Sequence, residues 1–210
     1  MKVDFFFGVG SRYSYLAAAS IDEIEARTGA LVRWRVVYSP DLIRHAGSDP
    51  FQQDSLRGQY RPTYRSLDVE RWANFLDIPY REPDFAVADW RHIALWAVAA
   101  ERLGMGVVFA RAAFEVAFAE GRPPRSQAEL AGLAAQAGLD PGPLAEVIGT
   151  GDAELALEHN LSQALAAGCF GVPSFVTDDG KIRNSQKLPM SHRILAYIGR
   201  KLTLRPESTS

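Results

Sequence analysis

The chain has 210 residues, 47% hydrophobic and 23% charged, enough for one domain with a buried core or one domain carrying a large insertion. A formal charge of -2 argues against the basic surface of a nucleic-acid binder, and no apolar run approaches the roughly 20 residues of a membrane span. The single cysteine, Cys169, allows no intrachain disulfide, and Met1 to Asp4 lead straight into a strand-like run without a signal-peptide pattern. A reducing cytosol is therefore the expected compartment.

Residues 3–7 form a short apolar, aromatic run with strand character, closed by Gly8-Val9-Gly10. Ala17, Ile21 and Ile24 then recur at helical spacing, with Glu23 and Arg27 four apart in the favourable order and Thr28-Gly29 as the stop. Residues 31–38 (LVRWRVVY) read as a second strand, so the chain opens β-α-β. From about 39 to 165 the patterns are helical throughout. Pro62 opens a helix carrying Tyr64, Leu67, Trp72, Phe75 and Leu76. Further helices are predicted over 90–103, 106–120, 126–137, 141–148 and 152–167, the fourth of these six beginning with the capping-box spacing Ser126-x-x-Glu129. Strand character returns at 173–177 (PSFVT), and Asp178-Asp179-Gly180 turns the chain into a short strand over 181–183. A last helix carries Leu195, Ile198 and Leu202 before a polar tail.

Two segments hold the candidate chemistry. Gly10-Ser11-Arg12-Tyr13-Ser14-Tyr15 sits where the first strand meets the first helix, and Gly171-Val172-Pro173-Ser174-Phe175 enters the late strand. A βαβ start and a ββα finish, with Val-Pro ahead of the third strand, is the layout of thioredoxin-like domains. The sequence resembles the 2-hydroxychromene-2-carboxylate isomerase family and its relatives, the kappa-class glutathione transferases. The residues that carry the resemblance are FFFGVGSRYSYLAA at 5–18, YRSLDVERWA at 64–73, AEG at 119–121, AGLD at 137–140, FGVPSFV at 170–176 and NSQKL at 184–188, in the same order along nearly the whole chain. The resemblance implies an α/β, DsbA-like thioredoxin fold with a large all-helical insertion. Its expected parts are 1–38 with 168–202 as the thioredoxin-like domain, 39–167 as the helical insertion and 203–210 as a flexible tail.

In this alignment of parts, Ser11 and Ser14 stand where disulfide oxidoreductases carry Cys-x-x-Cys. Serine cannot form the mixed disulfide that thiol exchange requires. The resemblance implies instead a glutathione thiolate beside Ser11, favoured by its hydroxyl and by the first free N–H groups of the helix. Ser11 is equally a plain helix N-cap, and the two roles are compatible. Ser14 reads as a helix-start residue, and Tyr13 and Tyr15 as core or pocket wall.

For Pro173 the residues alone give a strand-entry proline, and the resemblance implies a cis bond that presents the Val172 backbone to glutathione as an added strand. Ser185 and Gln186 open the last helix, where a peptide carboxylate could meet free N–H groups; Ser185 is otherwise a cap. Arg61, where the family usually has lysine, could pair with a carboxylate of glutathione or of the substrate, or simply face solvent. Asp68 and Arg71 read as a local ion pair, and Trp72 and Trp90 as core. The chain departs from the family pattern at Arg12, where proline is usual, at Gly8 and Ala88, and at Gln186-Lys187.

The activity the resemblance implies is a glutathione-dependent cis–trans isomerisation of a small aromatic keto acid, in a homodimer. A kappa-like transferase, which would keep the sulfur attached to its product, and a non-catalytic thioredoxin-like binding module are the alternatives. Gly8-Val-Gly10 only partly imitates a dinucleotide fingerprint, because Tyr13 replaces the third glycine. His45, His92, His159 and His192 show no metal-ligand spacing, and Cys169 reads as a small buried hydrophobe.

Overall fold

A computed structural model describes residues 1–45 and 62–178 together with the backbone of 182–184. Among the described residues the sheet has four strands, β1 (Lys2–Phe7), β2 (Leu31–Val36), β3 (Ser174–Thr177) and β4 (Ile182–Asn184), in the order β2-β1-β3-β4. β1 and β2 are parallel, with Phe5 opposite Trp34; β3 runs antiparallel to β1, with Phe6 opposite Ser174, and β4 antiparallel to β3. This is the βαβ…ββ frame of a thioredoxin-like fold. The predicted last helix and the tail lie outside the described residues.

Alternation along β1 explains its central place. Val3, Phe5 and Phe7 enter the main core, where Phe5 meets Trp34 edge-on at 5.1 Å and stacks on Phe175 at 4.8 Å. Phe6 points the other way, into a second cluster with Val37, Leu42, Ala164, Cys169, Val172 and Val176. A strand covered on both faces reads as a continuous apolar run, as Phe5-Phe6-Phe7 does.

The helical segment expected after β1 is interrupted at Ser20, giving α1 (Arg12–Ala19) and α2 (Ile21–Thr28). Ser20 N donates to Ala17 O, a tightened turn, before Ile24 N resumes the helix on Ser20 O. Gly29, at φ 61°, ends α2 in the left-handed conformation that glycine adopts without a Cβ penalty. The predicted Glu23–Arg27 pair is present at 2.8 Å on the exposed face.

Between β2 and β3 the described chain is helical: α3 (Ser39–His45), α4 (Pro62–Phe75), α5 (Trp90–Arg102), α6 (Gly106–Phe114), α7 (Gln127–Gln136), α8 (Pro141–Gly149) and α9 (Asp152–Ala166). α5 is buried from Ile93 to Ala100 and packs on α6, α8, α9 and β2. Its alanines at 94, 97, 99 and 100 admit those close approaches. One apolar cluster continues from β1 through α5 to α9, so sheet and helices share a core. The outer edge of β2 is closed by side chains: Glu101 accepts from Val36 N at 3.2 Å, and Asn160 donates to Val36 O at 3.1 Å and to Glu101 at 3.0 Å.

Two helix ends differ from expectation. The helix predicted over 106–120 leaves α geometry at Glu115, and Glu115–Ala119 forms a π turn in which Glu120 N reaches Glu115 O at 3.0 Å. The wider turn seats Phe118 fully inside, stacked on Tyr15 at 5.6 Å and on Trp90 at 6.1 Å. At α7, Ser126 Oγ caps Glu129 N as predicted, but the Glu129 carboxylate bonds Arg125 N, one residue before the cap. Among the described residues, no helix is long and apolar enough to cross a membrane.

Candidate functional site

β1 ends at Phe7, and the chain turns at once into α1. Ser11 N donates to Gly8 O at 3.0 Å, and the buried Ser14 hydroxyl accepts from Gly8 N at 3.3 Å. Ser11 itself is extended (φ -105°, ψ 113°), and its Oγ accepts from Ser14 N at 3.2 Å. It is therefore an N-cap, and Ser14 is more than a helix-start residue: it locks the turn. A hydroxyl has one proton to donate besides its lone pairs. The cap uses a lone pair, so the partly exposed Ser11 hydroxyl can still donate. The first N–H groups of α1 have no acceptor within the helix, which places partial positive charge beside that hydroxyl.

Both glycines of the turn sit in close packing. A Cβ on Gly10 would lie 2.9 Å from the Trp90 ring. A Cβ on Gly8 would lie 2.2 Å from Ser39 Oγ and 3.4 Å from Val172 Cγ2, so nothing larger than hydrogen fits without movement of Ser39. The same measurement places Val172 beside the end of β1. Val172–Pro173 is a cis peptide, and Ser174 Oγ donates to Gly171 O at 2.7 Å. Because Ser174 pairs with Phe6, Pro173 lies at the end of the sheet from which Ser11 emerges. Arg61, Ser185 and Gln186 lie outside the described residues.

A polar cluster, which the sequence does not announce, closes over the start of α1. Arg12 is only 8% exposed. Its Nη2 pairs with Glu82, and its guanidinium lies 4.4 Å from the centre of the Phe85 ring. Glu82 also accepts from the Tyr80 hydroxyl. Tyr13 donates to Asp68 at 3.0 Å, across from α1 to α4. Asp68, expected to pair with Arg71, is thus engaged by the neighbouring helix. Trp90 donates from its indole to Phe85 O at 2.9 Å and carries Gly10 on its ring; it is half-buried wall beside the site as much as core.

Burial and these partners set the protonation states. Desolvation, with the Asp68 charge and hydrogen bond, holds the Tyr13 phenol far above its ordinary range. Desolvation and the Glu82 bond do the same for Tyr80. Tyr15, buried and donating to Pro79 O, is pushed up to about 12 by desolvation and then by the Glu115 charge. Arg65 is lowered by burial and by the nearby positive charge of Arg12. Cys169 is 2% exposed with its thiol raised by burial, an inert packing residue as expected. Among the described residues, no group of three His, Cys, Asp or Glu side chains could hold a metal ion.

Residues 2–196 match the DSBA-like thioredoxin domain family. The chain is 30% identical over 187 residues to the 2-hydroxychromene-2-carboxylate isomerase of Sphingobium xenophagum, covering 84% of this chain and 89% of that protein. Its fold is similar to that of a selenomethionine 2-hydroxychromene-2-carboxylate isomerase, with a TM-score of 0.78 at 19% identity over 97% of this chain and 98% of the other. It also resembles the cytosolic disulfide reductase DsbM from Pseudomonas aeruginosa, solved with GSH, with a TM-score of 0.66 at 18% identity over 97% and 100% of the two chains. At these identities the two structures speak for the fold alone.

Proposed function

The chain belongs to the 2-hydroxychromene-2-carboxylate isomerase family of DsbA-like thioredoxin domains, and on that premise we propose that it is a glutathione-dependent cis–trans isomerase of an aromatic α-keto acid. The observation that carries this reading is the Ser11 hydroxyl. It occupies a helix N-terminus with a lone pair engaged by the cap and, among the described residues, no acceptor for its proton, in a chain whose one cysteine is buried elsewhere. Such a donor suits a sulfur brought from outside and cannot itself exchange disulfides.

Glutathione, when bound, supplies a nucleophilic sulfur that can add to and leave a conjugated carbon, freeing the double bond to rotate. The residues of this chain hold and shield that sulfur. Ser11 Oγ–H donates to the thiolate, and the N-terminus of α1 stabilises its charge. Val172, ahead of Pro173, offers backbone groups to the tripeptide in the manner of an added strand. Arg61, Ser185 and Gln186 are assigned to its carboxylates. Trp90 and Phe85, half-buried beside Gly10 and Arg12, form the apolar wall next to the start of α1, on the side where the substrate's ring would lie.

The test is a turnover experiment with an aromatic α-keto enone. The expected product has the mass of the substrate, and its formation stops when glutathione is withheld. A product heavier by one glutathione would make the protein a transferase. Absence of both calorimetric heat and thermal stabilisation with glutathione would leave a binding module in place of an enzyme.

A further inference from the structure

Arg12 poses an energetic problem that the proposed chemistry does not use. A guanidinium keeps its charge in any protein environment, and enclosing one is costly unless its donors are met. Here the side chain is enclosed by Phe85 and the start of α1, and Glu82 meets Nη2. Nε is buried and finds no acceptor among the described residues. Arg65 adds a second, half-buried cation close enough to feel the first, with Tyr13 and Glu82 beside it. The neighbouring carboxylates are shared: Asp68 accepts from Tyr13, and Glu82 from Tyr80 as well as Arg12.

Nε–H and the adjacent Nη2–H form the side-on fork of arginine, which matches the two oxygens of a carboxylate. Glu82 engages Nη2, one of the two nitrogens of that fork. Its side chain is 35% exposed, against 10% for Arg12, so it can withdraw to water while the guanidinium stays in place. We propose that Arg12 recognises the substrate's carboxylate, with Glu82 as a stand-in that yields the fork when the substrate arrives. The assignment rests on the isomerase reading for the substrate's class. It deepens that reading by naming the residue that distinguishes a keto acid from a neutral enone. Arg12 directly follows Ser11, and in an α-keto acid the carboxylate lies a few bonds from the carbon that the sulfur approaches.

Arg12 is the first residue of α1, where proline is tolerated, and Ser11 before it is already extended, as a residue preceding proline must be. Arg12→Pro therefore removes the guanidinium from a helix that keeps its start, a point checked by circular dichroism and Tm. Calorimetry on wild type, Arg12→Pro and Glu82→Gln would use 2-oxo-4-phenylbut-3-enoate, its carboxamide, and glutathione. Arg12→Pro should weaken the acid by about 10-fold to 100-fold and leave the amide and glutathione unchanged. Glu82→Gln, a weaker competitor for the fork, should tighten the acid several-fold. Equal binding of acid and amide by wild type, failure of wild type to bind the acid, or weaker acid binding in Glu82→Gln would each overturn the assignment. A loss confined to glutathione in Arg12→Pro would overturn it too, by giving the fork to the tripeptide. Retained acid preference without any turnover would instead refute the isomerase reading and leave the carboxylate site standing.

Discussion

Replacing Ser11 with alanine separates the two jobs assigned to its hydroxyl. The cap on Ser14 N is worth about 1 kcal/mol, which for a domain of this size lowers Tm by roughly 2–4 °C. A charge-assisted hydrogen bond to a thiolate is worth about 1.5–3 kcal/mol, or one to two pKa units of a bound thiol. A free thiol of pKa about 8.5 is roughly 3% ionised at pH 7, whereas one lowered by two units is about three-quarters ionised, a gain of ~25-fold. Ser11→Ala should therefore cut kcat/KM at pH 7 by about 8-fold to 25-fold and move the thiolate limb of the pH–rate profile upward by one to two units. Ultraviolet titration of the bound thiol should show the same shift. Ser11→Gly is the control, because glycine costs a cap only a few tenths of a kcal/mol yet lacks the hydroxyl. The two variants should lose rate equally and stability unequally. Loss of rate in step with loss of stability, or an unmoved thiol pKa in both, would refute a hydroxyl bond to sulfur and reduce Ser11 to a cap.

Gly10→Ala would place a Cβ 2.9 Å from the Trp90 ring, an overpacking expected to cost about 1–3 kcal/mol and to alter tryptophan fluorescence; a variant with native Tm and spectrum would contradict the packing. Asn160→Ala removes the amide that links Val36 O to Glu101, leaving buried acceptors short of a donor, and denaturant unfolding should show a loss of about 2 kcal/mol. Tyr13, Tyr15 and Tyr80 are all raised in the fold, whereas unfolded tyrosines ionise near pH 10. Their contribution is intact below about pH 10 and is lost as pH rises further, because the unfolded chain releases those protons first. Native-state absorbance at 295 nm should accordingly lack three phenolates at pH 11 that appear on unfolding.

Much of the frame is local and was legible in the residues. The apolar run at β1, the period of α5, the Ser126 cap and the Gly29 stop each express a preference carried within one turn or one strand. Ser11 as an N-cap belongs to the same class, and the break at Ser20 and the π turn at Glu115 were missed because a hydrophobic period does not register a local change of hydrogen-bond ladder.

The wall of the candidate site is of another kind. Glu82 meets Arg12 across 70 positions of sequence, and Asp68 meets Tyr13 across 55. Spacing on α4 paired Asp68 with Arg71, since periodicity knows only neighbours on the same helix. The sequence by itself determined the strands, the helices and a serine where a helix begins. Only the packing of α4 and the segment before Trp90 over that helix decided that Arg12 would be enclosed and that Gly10 would rest on an indole. Burial of a charge is a property of surfaces brought together from distant parts of the chain.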